Sequence, residues 1–125
     1  MRRSLVGVTL VALFAAALAD QGKAEPLPTA IGTCSETTIT DIGYRLGDPD
    51  SGSAISYANG GVQISYDTIP EIHRSNVGDA VKLCLVSVPE DCPPGDDRGK
   101  IYSAANLRTG EAWEAPDSQH SCGGA

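Results

Sequence analysis

Aromatic side chains are scarce in this 125-residue chain, at 5% of residues, with one Phe and one Trp. The single Phe, Phe14, falls in an apolar stretch at the very start, so the few remaining rings carry the large-side-chain share of any core. Basic residues are also short: 9 Lys and Arg stand against 16 Asp and Glu, a net charge of -7. Such a surface repels phosphate backbones and anionic lipid, which argues against nucleic-acid binding and membrane-surface roles. It attracts a cationic partner instead. Apolar residues never recur at i, i+3, i+4 and i+7 over three turns after Asp20, and no segment repeats at a fixed period, which excludes helical bundles and solenoids. Neither a CxxC pair nor a GxSxG elbow occurs, so the usual zinc-ligand spacing and the usual hydrolase nucleophile are both missing.

Residues 1–19 carry Arg2 and Arg3, an apolar run from Leu5 to Leu18 and the small-residue ending Ala17-Leu18-Ala19. This is the order of a secretory signal peptide, and the run is shorter than the roughly twenty residues a spanning helix needs. The expectation is export to the periplasm or the medium without membrane insertion. Cleavage after Ala19 removes Arg2 and Arg3 and leaves 7 bases against 16 acids, a net charge of -9. Residues 20–33, polar with two prolines, are expected as a flexible N-terminal arm, and residues 34–125 as a single domain. A domain of that size has a marginal core and gains from covalent staples.

Cys34, Cys84, Cys92 and Cys122 all lie in the exported part, where two disulfides are the default. Of the three possible connectivities, the preferred one joins Cys84 to Cys92 and Cys34 to Cys122. On the chain-entropy model these contribute about 2.6 and about 4.6 kcal/mol.

Short runs rich in β-branched residues and tyrosine, separated by Gly-rich turns, predict an all-β fold: a small antiparallel β-barrel or sandwich of about six strands. The strands are expected at 37–46, with a bulge near Asp41, then 54–58, 62–69, 80–88, 101–107 and 111–115. Asn59-Gly60-Gly61 marks a tight hairpin. Val62, Ile64 and Tyr66 are expected on the buried face of the third strand, and the run AVKLCLVSV is expected to be covered in part on both faces. Tyr44, Tyr102 and Trp113 are expected to fill the core, because aromatic burial is the larger energetic gain.

Pro89 to Gly99, PEDCPPGDDRG, concentrates four acids among prolines and glycines. Calcium takes six to eight oxygen ligands, which Glu90, Asp91, Asp96 and Asp97 supply in part, but EF-hand spacing is absent. Turn formation, with Arg98 pairing its acidic neighbours, accounts for the same residues, so no metal or other cofactor is expected. Asp117-Ser118-Gln119-His120 offers a hydrolase-like set, yet three neighbours on one loop do not align as a triad, and no enzyme is expected. His73 is expected as a solvated loop residue. Candidate binding residues are Asp96, Asp97, Arg98, Arg108, Trp113 and His120, with exposed Trp and Arg as the usual interface anchors.

The landmarks CPPGDDRG, NLRTG, Trp113 and the ending HSCGGA resemble a pattern recurring in small exported bacterial proteins. The resemblance runs from Cys34 to Ala125 and implies an exported single-domain protein with no activity attached. At the level of fold the chain is also similar to periplasmic lysozyme inhibitors, small exported β-barrels with a disulfide. Their Ser-Gly-x-x-Tyr motif is not matched, since Ser51-Gly52 is followed by Ser53-Ala54-Ile55 and the tyrosine comes at Tyr57. The expected function is a non-enzymatic binding module for a protein partner, with calcium binding or lysozyme inhibition as alternatives.

Overall fold

The computed structural model describes residues 24–124, so the expected signal peptide at 1–19 lies outside the described residues. Six antiparallel strands form one sheet: β1 (Cys34–Tyr44), β2 (Ser53–Tyr57), β3 (Val62–Ser65), β4 (Ala80–Ser87), β5 (Ile101–Asn106) and β6 (Ala112–Pro116). Their order is β3-β2-β1-β4-β5-β6. Among the described residues the one α-helix, α1 (Pro70–His73), starts with proline at its first turn, where the missing N–H costs no hydrogen bond.

β1 organises the sheet because its two halves have different partners. Cys34 to Thr38 pairs with β4, and Ile39 to Tyr44 pairs with β2. The register slips between Ile39 and Asp41, the bulge that the sequence led us to expect. A bulge bends its strand and adds twist. The sheet accordingly curls into a half-barrel in which β3 comes up against β6. Between these edges the contact is made by a side chain. Gln63 Oε1 accepts from Tyr57 Oη at 2.5 Å and Trp113 Nε1 at 2.9 Å, while its Nε2 donates to the Tyr102 carbonyl at 2.7 Å. Gln63 is 1% exposed. A buried amide is tolerable only when its polar atoms are paired, as they are here.

Gln63 therefore reverses the expected facing of β3. It points inward, Val62 and Ile64 are half-buried, and Tyr66 is exposed. One residue of parity exchanges the two faces of a strand. The rest of the core follows the alternation of β4, with Val81, Leu83 and Leu85 buried against Ile39, Ile55, Tyr102 and Trp113. The opposite face of β4 is less covered than expected, since Val86 and Val88 are exposed.

Both expected disulfide pairs are replaced. The bonds are Cys34–Cys84 and Cys92–Cys122. The cause is register: antiparallel pairing of β1 with β4 sets Cys34 directly opposite Cys84, their Cα atoms 4.0 Å apart. Cys92 is then left to Cys122, and this bridge ties the 88–100 loop to the C-terminal tail. The loops closed span separations of 50 and 30 residues. On the chain-entropy model each bridge stabilises by about 4 kcal/mol.

The expected flexible arm is also corrected, since residues 24–33 are held against the sheet. Glu25 N–H donates to the Glu36 carbonyl at 2.9 Å, and the Glu36 N–H donates back to Glu25 Oε1 at 3.0 Å. Gly32 N–H donates to the Leu85 carbonyl and Leu85 N–H to the Thr33 carbonyl, Leu27 packs on the core, and Pro28 is buried. The free edge of the N-terminal half of β1, left uncovered because β2 pairs only with the other half, is what this segment occupies.

Candidate functional site

Each of the residues expected to bind has a definite place, and they fall into separate neighbourhoods. In the 88–100 loop, Arg98 donates from Nε and Nη2 to the two oxygens of Asp96, both at 2.9 Å, and from Nη2 to the Gly124 carbonyl. Lys100 Nζ donates to Asp97 at 2.7 Å. The Arg98 guanidinium, helped by the Gly123 amide, holds the Asp96 carboxyl well below the usual carboxylate range, and Lys100 lowers Asp97. Among the described residues no three His, Cys, Asp or Glu side chains stand together where they could hold a metal ion. His120 is exposed, and its carbonyl accepts from the Ser118 hydroxyl at 2.6 Å. The Asp117 carboxylate caps the Gly99 amide at 2.8 Å. Thus the Asp117 and Ser118 side chains are spent on backbone partners, and among the described residues no hydrogen bond joins the side chains of Asp117, Ser118 and His120.

Arg108 lies elsewhere, beside Asp79. Nε and Nη2 meet both carboxylate oxygens, at 2.8 and 2.9 Å. Asn106 is buried, donates to Asp79 and Ser75, and through Oδ1 caps the Arg108 and Thr109 amides. Arg108 first, then Asn106 and the Asn76 amide, pulls the Asp79 carboxyl well below its ordinary range. Next to this pair Arg74 forks onto Glu111, with contacts from 2.7 to 3.0 Å. Trp113 joins neither group. It is 7% exposed and spends its N–H on Gln63, so the interface-anchor role considered for it has no surface from which to act.

The cluster that sequence reasoning missed sits on the turn between β1 and β2. Tyr44 ends β1, and Leu46 adopts φ 58°, ψ 17°, inside the 3-10 turn Arg45–Gly47. A leucine in the left-handed region is uncommon, and such strain, of order 1–3 kcal/mol, persists only where the surroundings hold it. Those surroundings are visible in the 45–52 loop. Arg45 N–H bonds the Gly52 carbonyl, Ser51 donates to the Arg45 and Asp48 carbonyls, and the Asp48 side chain caps the Asp50 amide. Gly52, at φ 124°, lies so close to β3 that a Cβ there would stand 1.8 Å from the Ser65 carbonyl oxygen. Only glycine allows that approach.

The result is a rigid mount for exposed side chains. Leu46 is 73% exposed. Arg45 lies with its guanidinium carbon 4.1 Å from the centre of the Tyr66 ring, within cation–π range, and Tyr66 is 54% exposed. The guanidinium is held by Nε to the Ser51 carbonyl at 2.6 Å and by Nη1 to Gln119 Oε1 at 3.4 Å. Tyr66 Oη donates to the Gln119 carbonyl at 3.0 Å. On the other side of the turn Tyr44, partly exposed rather than in the core, stacks on His73 with ring centres 4.3 Å apart.

His73 is the last residue of α1 instead of a solvated loop residue. Its Nε2 lies 2.8 Å from Ser53 Oγ, which also accepts from the Ile69 amide at 2.9 Å. The serine hydroxyl and the imidazole nitrogen share this hydrogen bond, and its direction follows the tautomer of the ring. Burial lowers the His73 pKa. Ser53 is 0% exposed, so this serine–histidine pair fixes α1 and offers no oxygen to a substrate. The one legible trace of the cluster in the sequence is Tyr-Arg-Leu set immediately before the glycine-rich turn GDPDSG. Tyr66, His73 and Gln119 are far from it in sequence, and only the curl of the sheet brings them in.

No protein-family model, no curated protein and no solved structure matches the chain. Among the described residues no helix is long and apolar enough to cross a membrane.

Proposed function

We propose that the protein is an exported, non-enzymatic binding module, in the periplasm or the medium, that engages a protein partner. The observation that carries this reading is the group of exposed Tyr44, Leu46 and Tyr66 around half-buried Arg45, mounted on a turn that holds backbone strain to present it. Tyr and Arg dominate interface energetics, and side chains already immobilised lose less entropy on binding. Export is supported by the order of residues 1–19 and by two disulfides, which persist in oxidising compartments. The net charge of -7 favours encounter with a cationic partner, since long-range fields act mainly on association rate.

The test is capture from an envelope extract on immobilised protein, run beside Leu46→Asp and Tyr66→Ala variants. A partner retained by the native chain, weakened at least about tenfold by either variant and released faster at high salt is the expected outcome. Identical retention by all three proteins, or substrate turnover by the purified protein, overturns the reading.

A further inference from the structure

We infer that Arg45 is the anchor of a carboxylate-reading site, and that the segment it takes is an extended peptide of the partner with a carboxylate beside an apolar side chain. This rests on the binding-module reading and adds the chemistry of the contact. The argument begins with charge. Arg74, Arg98 and Arg108 each hold a carboxylate, Glu111, Asp96 and Asp79 respectively. Arg45, among the described residues, meets only neutral acceptors, the Ser51 carbonyl and the Gln119 amide oxygen. A strongly acidic chain has thus left this arginine without an acid, although Asp48 and Asp50 belong to the same loop. Asp48 is turned to its own loop amide at Asp50.

Geometry makes the same arginine a receptor. Its guanidinium carbon lies over the Tyr66 ring, two of its nitrogens are hydrogen-bonded, and Nη2 has no partner among the described residues. A planar fork held in place loses little freedom when a carboxylate arrives, and Arg matches carboxylate oxygens in a way Lys does not. Exposed Leu46 on one flank and the Tyr66 ring beneath supply apolar area for the neighbouring side chain of the peptide.

A capped dipeptide with a C-terminal leucine, as the free acid and as the amide, separates the elements of this proposal when titrated into isotope-labelled protein followed by NMR. The acid should bind with a dissociation constant of about 1 mM, as befits so small a ligand. It should shift the Arg45 Nε–H and the amides of Leu46, Tyr66 and Gln119. The amide, and the acid added to Arg45→Gln, should bind at least about tenfold more weakly. Arg45→Lys keeps the charge without the fork and should recover only part of the affinity. Lys82→Gln removes an exposed positive charge on β4, away from this turn, and should bind as the native chain does, which controls for the loss of one charge. Equal binding of acid and amide at this turn overturns the carboxylate assignment while leaving a partner surface there. Shifts confined to other regions, or none at all, overturn the site, and the capture experiment on Leu46→Asp then judges the binding-module reading separately.

Discussion

Arg108 and Arg45 share a side chain and differ in what surrounds it. Arg108 grips Asp79 with two short hydrogen bonds, and buried Asn106 supports both. Arg45 rests on an aromatic ring and touches neutral oxygens. The first arrangement is complete in itself. Its charge is neutralised by a carboxylate, and it ties the turn before β4 to the turn after β5. The second leaves positive charge and a donor at the surface next to exposed Leu46 and Tyr66. Within one small domain, then, the number of charged residues says little about where recognition occurs. What matters is whether each charge has already found its partner.

The comparison breaks most sharply at Gly52. Gly52→Ala places a methyl on the Ser65 carbonyl and should destabilise by about 3 kcal/mol, read as a lower urea midpoint. The accompanying NMR changes should concentrate in the 45–52 loop and leave the Asp79 and Arg108 resonances in place. On the other side, Asn106→Ala removes the amide that feeds Asp79 and caps two backbone N–H groups. A loss of about 2 kcal/mol is expected, with the Arg45 turn unaffected.

Acid separates the two regions by pH. Asp79 titrates lower in the folded chain than its unfolded value, about 3.9, so its stabilisation is complete above about pH 4 and disappears as the pH falls further. Asp79→Asn should flatten that part of the stability profile. His73, beside the Arg45 turn, is shifted down by burial, so the unfolded chain takes up its proton first. Stability on that account is complete above about pH 6.5 and declines as the pH drops through that value. His73→Ala should abolish this shallower step, with chemical unfolding at pH 7.5 and 5.5 as the measurement. Smallest of all, Arg45→Ala should cost about 1 kcal/mol of stability, because a surface cation–π contact and two bonds to neutral oxygens contribute little to folding. A large loss there would make Arg45 a structural residue like Arg108 and remove the contrast.

Much of the fold was legible, because its signals are local. Alternation marked all six strands, Asn59-Gly60-Gly61 marked the hairpin, and the irregular pattern around Asp41 marked the bulge on which the curl depends. The strand centres fell where the pattern put them, and their ends moved by a few residues, β1 stopping at Tyr44 because Leu46 takes a left-handed conformation. The misreadings share a cause in pairing across distance. Gln63 reads as a solvent-facing residue until Tyr57, Trp113 and the Tyr102 carbonyl are seen around it. Trp113 takes the core place expected of it, and what the sequence hides is the partner of its N–H, Gln63. Residues 24–33 read as a polar arm until the uncovered edge of β1 accepts them.

By itself the sequence determined that the chain is all-β, where its strands and hairpin lie, and that its charge is strongly acidic, since periodicity, turn chemistry and composition act over a few residues or need no coordinates. Only the tertiary structure decided which cysteines bond, which face of β3 is buried and which of the described arginines meets no acid among the described residues. Each of those depends on register and on the curl at the β1 bulge, and a shift of one residue in register exchanges every partner a side chain has.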